Sequence, residues 1–440
     1  MNAREVALYV VRDVFPTAGR ARGAQEALDY RVRAAELSAR DRAFATELAY
    51  GAIKMRRLLD WYLQPFLGER AATLAATAHE ALRLAIYELR FTRADEHATV
   101  YEFVEIAKRR GHRGLAGLVN AVLRSYLREP PLEPARDLFD TEDEYVGTRY
   151  SLPTWLVRQW RGVFGTSLLE AICSGVNAPT QAAITVNRRR IQPAALADRL
   201  RNEGVETRPS QIVADCLLVE RSPEPLHEAR ANAAWWMQSE SSAVPVEVLG
   251  PQSGERIVDL CSGRGNKALQ IASRLGDDGE LVCVDRDERR TQVLQRRLAE
   301  YGLVASTIVS DVREVDFGRR FDRVLLDAPC SGTGVVGRHA EARWKKESTD
   351  GERLAAVQHA LLEAASDVVH DGGALVYAVC SNDPRESTEV VERFLSQHRF
   401  ARGLIPAAME PFLTDAGDVS IPPGIEGRDG FYVARLERAL

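Results

Sequence analysis

Leu325-Leu326-Asp327-Ala328-Pro329-Cys330-Ser331-Gly332-Thr333-Gly334 is the stretch from which the rest of the chain can be read. The apolar run from Phe321 to Leu326 predicts a strand, and it breaks at once into an acid, a proline, a cysteine and a glycine-rich turn. In an open α/β sheet, ligands bind beyond the carboxyl ends of the strands. Asp327 and Cys330 are therefore expected to project into a site. Pro329 would fix φ there, and the glycines would let a ligand approach the backbone. A second stretch, Gly373-Ala374-Leu375-Val376-Tyr377-Ala378-Val379-Cys380-Ser381-Asn382, repeats the arrangement. Two cysteines at two strand ends, one beside an acid, suggest covalent chemistry on a base-like ring.

Working outward, strands and helices alternate from Gly254 onward. Strands are predicted over 256–260, 280–284, 305–309, 320–326 and 374–379, with helices over 267–275, 288–301, 351–370 and 385–397. This argues a doubly wound, mostly parallel sheet, closed by an antiparallel strand over 430–436. Residues 180–222 read as a small α+β module, with strands in 182–187 and 212–220 and a helix over 193–202 that Gly204 ends. Its Arg188-Arg189-Arg190 suits either an exposed turn or a backbone-binding strip. Residues 1–128 read as helices only. Leu82, Ala85, Ile86 and Leu89 share one face, as do Val100, Phe103, Val104 and Ala107, and again Leu115, Leu118, Val119 and Val122. Phe44 and Leu48 mark a further helix running on towards Leu58, Leu59 and Tyr62. Glu129-Pro130-Pro131-Leu132-Glu133-Pro134 is a stiff boundary. A helix follows, with Ser151 near its N-cap and Pro153 in its first turn. The expected organisation is an all-α bundle over 1–130, linker helices with a small α+β (RRM-like) module over 131–235, and an α/β Rossmann-like domain over 236–440.

The 440 residues, 45% apolar and 28% charged, fit a globular protein of two or three domains. No apolar run approaches the roughly 20 residues of a membrane span, and the N-terminus lacks a secretory layout. A cytoplasmic protein acting as a monomer, with no membrane partner, is expected. The six cysteines form no C-x-x-C pair, so no metal is expected, and free thiols suit a reducing compartment. The net charge of −5 is unevenly spread. Residues 1–128 hold 21 Lys and Arg against 15 Asp and Glu, a surplus of +6 that leaves −11 on the remainder. This asymmetry points to an anionic partner for the basic part. Lys108-Arg109-Arg110-Gly111-His112-Arg113 suits a phosphate-binding patch, although a solvated loop explains such a run as well.

Asp259-Leu260-Cys261-Ser262-Gly263-Arg264-Gly265-Asn266-Lys267 joins the first strand of the large sheet to its first helix, where glycines admit a ligand to a positive helix end. Asp285 and Asp311 end the next two strands. Three acids at successive strand ends suit an adenosine ligand. Gly263 to Ala268 also meets the loose dinucleotide pattern, with Asp285 about 20 residues on. S-adenosylmethionine is favoured over NAD, because a dehydrogenase has no evident use for Asp-Ala-Pro-Cys and a second cysteine. Thiolate attack at carbon 6 of a cytosine would make carbon 5 nucleophilic. Asp327 suits a proton or hydrogen-bond donor to N3, and the Pro329 carbonyl could accept from the exocyclic amine. One cysteine would attack and the other assist release; the chemistry alone leaves open which does which.

These motifs resemble the RNA cytosine-5 methyltransferases, in particular the ribosomal RNA small-subunit methyltransferase B type (Sun/Fmu), over nearly the whole chain. Asp327 to Gly334 is similar to that family's fourth motif, Cys380-Ser381 with Pro384 and Glu386 to its sixth, and Asp429-Gly430-Phe431-Tyr432 to its closing motif. Asp41 to Leu48 resembles the NusB-like RNA-binding domain fused to this type, and Gln238 to Ser242 the lead into the catalytic domain. The resemblance implies cytosine-5 methylation of small-subunit rRNA, with Cys380 as nucleophile and Cys330 aiding release. It implies that Cys261, Ser262, Gly263, Arg264, Gly265, Asn266, Lys267, Asp285, Asp311 and Asp327 line the S-adenosylmethionine site. Arg338 and Arg343-Trp344 fall where the family is basic and aromatic near its substrate RNA. Arg264 and Asn266 replace the family's proline and glycine, Val379 its threonine, and Ser387 its asparagine. Asn is the next most tolerant residue at positive φ, so the loop could keep its shape. A tRNA substrate, or a weakly active RNA-binding assembly or antitermination factor, are the alternatives.

Overall fold

Apolar stripes at three- and four-residue spacing place residues 3–128 in helices: α1 (Ala3–Val14), α2 (Ala24–Ala35), α3 (Ala39–Lys54), α4 (Arg56–Leu67), α5 (Ala76–Phe91), α6 (Glu96–Arg110) and α7 (Arg113–Arg128). Leu82 and Ile86, Phe103 and Ala107, and Val119 and Val122 are buried together in their core. The computed structural model describes residues 1–110, 113–224, 226–227 and 232–440. By contact, Met1–Arg161 and His339–Lys345 form one unit, and Gly162–Arg338 and Lys346–Leu440 another.

The helix expected to run through Phe44 and on to Tyr62 is two helices, α3 and α4, that meet at Met55. The opening amides of α4, Arg57 and Leu58, are accepted by the Ser151 hydroxyl at 3.0 and 3.4 Å. Ser151 therefore caps α4 rather than the helix it precedes, and holds φ 53° to do so. Beyond it come α8 (Glu142–Arg149) and α9 (Thr154–Gly175); the division between the two units falls within α9.

The second unit carries two sheets. In the smaller, β1 (Ala182–Val186), β2 (Glu206–Pro209), β3 (Cys216–Arg221) and β4 (Trp235–Met237) lie antiparallel in the order β2-β3-β1-β4, with α10 (Pro193–Asn202) packed on one face. The sequence reading missed β2 and β4, which are short. The other face, with Ala183, Leu218 and Trp236, shares one core with the large sheet. That sheet follows after α11 (Glu240–Leu249): β5 (Arg256–Leu260), α12 (Asn266–Leu275), β6 (Glu280–Asp285), α13 (Glu288–Tyr301), β7 (Ser306–Val309) and β8 (Phe321–Asp327). The short helix α14 (Ala342–Lys345) belongs to the first unit. Then come α15 (Asp350–Asp367), β9 (Val369–Val379), α16 (Thr388–Gln397), β10 (Phe400–Arg402), β11 (Val419–Ile421) and β12 (Phe431–Arg438). The order β10-β12-β9-β8-β5-β6-β7 is parallel from β9 to β7, and β12 is antiparallel to β9, as its sequence implied. The order reverses at β5 and β8, the point where such sheets open a crevice at their carboxyl edge.

Two residues that the resemblance places near the substrate RNA have protein partners here. Arg343 is 1% exposed, and within the first unit its guanidinium donates to the Lys54 and Ser151 carbonyls at 3.4 and 3.3 Å. Beside it Trp344 Nε1 donates to the Ile53 carbonyl at 2.6 Å. Both side chains seal the carbonyl end of α3, so Arg343 is not turned outward to an RNA. Arg338, in the second unit, is held by Asp429 at 2.7 Å and by the Gln181 carbonyl at 2.8 Å. Their basic, aromatic composition gave no sign of these partners.

Candidate active site

The carboxyl ends of β5, β6, β8 and β9 and the start of β7's following loop surround one cleft of about 410 Å³. Asp285 and Asp311 lie on its walls together with Cys261, Ser262, Gly263, Arg264, Gly265, Asn266 and Lys267. Asp327, Pro329, Cys330 and Cys380 line it too, so every residue predicted for the donor and for catalysis reaches the same cavity.

The loop after β5 has an unusual backbone. Cys261 holds φ 62°, a region that costs a side chain about 1–2 kcal/mol. Gly265 holds φ 91° as N-cap of α12, and a Cβ on it would stand 2.3 Å from Leu294 Cδ1. Asn266 is the first helical residue, so its tolerance of positive φ is not what preserves the loop. Its side chain accepts from Arg297 Nη1 at 2.5 Å, and the same nitrogen donates to the Arg264 carbonyl at 3.2 Å. An arginine from α13 thus braces the loop at the two altered positions. Asp285 is 4% exposed and accepts the Gly263 and Asp287 amides, both at 2.8 Å. Asp311 takes a bidentate Arg313 at 2.8 and 2.7 Å, whose hydrogen bonds pull its carboxyl down to about 2.

At the other end of the cleft, Lys267 Nζ lies 2.6 Å from Asp327 Oδ2 and 5.3 Å from the Phe431 ring centre. Burial alone would lower the Lys267 ammonium; the Asp327 charge and hydrogen bond outweigh it and raise it. Asp259 is fully buried on β5, and burial, then the Asp327 charge, push its carboxyl well above the usual range. Cys330 Sγ lies 3.2 Å from Cys380 Sγ. That hydrogen bond and then burial push the Cys330 thiol well above the usual range. Gly334 donates its amide to the Cys380 carbonyl at 3.1 Å and accepts the Gly430 amide at 2.8 Å. A Cβ at Gly334 would meet the Gly430 oxygen at 2.2 Å, so the fourth, sixth and closing motifs meet through bare backbone.

Cys261 also faces the cleft, but burial and then Asp285 push its thiol up to about 12. At pH 8 only about one molecule in 10,000 would carry the thiolate, roughly a thousandfold fewer than free cysteine. Iodoacetamide is thus expected to leave Cys261 unmodified while it labels a free thiol. Peptide mass spectrometry reads the result, and labelling at the free-cysteine rate would contradict the assignment.

In the first unit, the basic run is less free than its sequence suggests. Lys108 pairs with Glu105 at 3.2 Å, and Arg109 and Arg110 each stand 3.4 Å from Glu5 Oε1. Gly111, His112 and the Arg113 side chain lie outside the described residues. Arg188, Arg189 and Arg190 are exposed, with Arg189 paired to Asp277. Sequence reasoning missed Gln358, whose amide donates to the Pro329 carbonyl at 2.9 Å; a lone glutamine on a helix carries no signal. Arg286, Arg290 and Arg313, which also line the cleft, were missed too.

A parallel sheet reversing at β5 and β8, with an acid-lined crevice and paired cysteines at its carboxyl edge, defines a Rossmann-like methyltransferase. A family model described as 16S rRNA methyltransferase RsmB/F matches residues 246–437, NusB family residues 1–128, and an RsmF/B-like ferredoxin-like domain residues 152–224. The probable ribosomal RNA small subunit methyltransferase B of Bacillus subtilis is 31% identical, over 92% of this chain and 93% of that one. The ribosomal RNA small subunit methyltransferase B of Thermus thermophilus is 36% identical, over 94% and 93%. The crystal structure titled PH0851 covers 100% of this chain and 99% of that one with a TM-score of 0.82 at 24% identity, a likeness of fold. The chain belongs to the ribosomal RNA small subunit methyltransferase B family.

Proposed function

We propose that the protein methylates carbon 5 of one cytosine in small-subunit (16S) rRNA, with S-adenosylmethionine as donor, through a covalent bond from Cys380 to carbon 6. The observation that carries this reading is the pair of sulfurs 3.2 Å apart at the end of a cleft that also holds Asp285 and Lys267. A donor with ribose hydroxyls and an amino group suits the carboxylates of Asp285 and Asp311, the latter once Arg313 shares it. When bound, S-adenosylmethionine supplies an electrophilic methyl group.

The residues divide the remaining work. Cys380, as thiolate, adds to carbon 6, which makes carbon 5 nucleophilic. The Lys267 ammonium, held by the Asp327 carboxylate, stabilises the negative charge that builds on the ring at N3; Asp327 thus orients the donor there instead of donating itself. The Pro329 carbonyl keeps a lone pair for the exocyclic amine, its other being held by Gln358. Contact with Cys380 and burial raise the Cys330 thiol, which suits the division that the family resemblance implies, Cys380 as nucleophile and Cys330 for the release step. After transfer a base takes the carbon-5 proton, and the pair left by that C–H bond re-forms the double bond between carbons 5 and 6. The bond from Cys380 to carbon 6 breaks with its electrons leaving on sulfur, and Cys330 assists this release.

The helical residues 1–130 would carry RNA affinity and the module within 131–235 would help position the strand, ahead of catalysis by 236–440. Lys108, Arg109 and Arg110 would reach phosphates by exchanging their partners Glu105 and Glu5. We place the protein in the cytoplasm, acting as a monomer. The test is transfer of a labelled methyl group to deproteinised small-subunit rRNA and, separately, to tRNA, followed by nucleoside mass spectrometry. Label in 5-methylcytidine from rRNA alone is expected. Label in tRNA alone would move the substrate, and label in neither would reject the reading.

A further inference from the structure

Glu386 lies six residues beyond Cys380, is fully buried, and has no part in the chemistry above. A carboxylate offers about four acceptor sites. All four are filled here, from three separate segments. Oε1 accepts the Ser331 amide at 2.8 Å and the Gln358 amide nitrogen at 3.0 Å. Oε2 accepts the Ser381 hydroxyl at 2.7 Å and the Ser331 hydroxyl. Ser331 directly follows Cys330, and Ser381 directly follows Cys380. The acceptor is itself anchored, because the Tyr377 hydroxyl donates to the Glu386 carbonyl at 2.6 Å from within β9.

The strands alone do not set this spacing. β8 and β9 pair in register only as far as Asp327 and Ala378, and both cysteines lie beyond, in loops. Beyond the ladder the two loops are joined by the Gly334 amide on the Cys380 carbonyl and by hydroxyl contacts of Ser381 with Thr333 at 3.0 Å and with Ser331 at 3.2 Å. The Glu386 carboxylate binds both residues next to the cysteines and fixes their mutual hydroxyl contact from one side. Gln358 extends the tie to the Pro329 carbonyl, the acceptor expected to face the base. A buried, fully satisfied network of this kind holds its members in one geometry.

The geometry points to Glu386 as a positioning residue, a clasp that holds the two thiols together and aligns the Pro329 carbonyl with them. The catalytic part of this inference rests on the cytosine-5 reading; the clasp itself does not. Its loss lets the loops drift, and a shift of about 1 Å at reacting atoms costs on the order of a hundredfold in rate.

A trivalent arsenical reads the spacing without donor or RNA. Phenylarsine oxide condenses with two adjacent thiols, forming two As–S bonds and releasing one water, with no change of oxidation state. The experiment uses the full-length protein, with Cys330→Ser as the one-thiol control. Glu386→Ala is expected to weaken arsenical retention at least about tenfold and single-turnover methyl transfer about a hundredfold, with donor affinity within about twofold. Glu386→Gln can still present an oxygen to the two N–H donors and an amide to the hydroxyls, and is expected to recover most of both. Gln358→Met, which leaves the carboxylate in place, covers the case where Glu386→Ala fails to fold; it should slow transfer with little effect on arsenical retention. Parent-like retention and transfer in Glu386→Ala, or parent-like transfer in Gln358→Met, would overturn the inference. Tight retention by the parent and weak retention by Glu386→Ala, with no 5-methylcytidine from the parent, would uphold the clasp and reject the cytosine-5 reading instead.

Discussion

Replacing Cys330 with alanine is expected to leave a covalent protein–RNA adduct, and replacing Cys380 to abolish both adduct and product. The two thiols are 3.2 Å apart, yet their surroundings differ. The contact with Cys380 and then burial push the Cys330 thiol well above the usual range. Cys380 is the cysteine of the sixth motif, and it lines the cleft together with Lys267. Without Cys380, attack on carbon 6 is lost, and methyl transfer should fall by at least about four orders of magnitude, as for other removed nucleophiles. Without Cys330, attack and transfer proceed but release stalls, and a slow band should appear on a denaturing gel. The double variant should lose that band. An adduct from Cys380→Ala and none from Cys330→Ala would reverse the two roles.

The second large effect is expected from the pair Lys267 and Asp327. Lys267→Met removes the ammonium at the cleft floor and strands the Asp327 carboxylate, 30% exposed, beside buried Asp259. Single-turnover transfer should drop by about 10²–10³, the usual cost of losing one preorganised donor. Stability should fall by up to about 3 kcal/mol, read as a lower Tm, because one charge of a largely buried pair is left unmatched. The Lys267 ammonium is raised in the fold, so its contribution is complete below its ordinary value of about 10.4. It is lost only as pH climbs through the higher folded value. The deficit should therefore be constant from pH 7 to 9. A rate within threefold of the parent, or a deficit that closes across that range, would exclude this role.

What the sequence made legible follows from period and position. Strands buried on both faces read as apolar runs, and residues at their carboxyl ends face a crevice whatever their partners are. So β5, β6, β8 and β9 and the cleft residues from Cys261 to Cys380 could be placed by counting along the chain. Partners distant in sequence could not. Ser151 looks like the cap of its own helix, but its hydroxyl serves amides 94 and 93 positions earlier. Arg343 reads as part of a basic segment near the substrate RNA, but the carbonyls of Lys54 and Ser151 claim it. Asp311 reads as a free acceptor, although Arg313, two residues on, occupies it. Glu386 could be quoted as part of a motif, while the four donors that give it a purpose come from three segments that only the fold brings together.

The bond from Cys380 to cytosine can be read directly. Cys330→Ala, incubated with small-subunit rRNA and S-adenosylmethionine, would be digested with nuclease and protease and its peptides weighed. The expected result is a methylated cytidine nucleotide attached to the peptide that contains Cys380. A nucleotide attached elsewhere, or an unmodified Cys380 peptide alongside fully formed 5-methylcytidine, would contradict the covalent route.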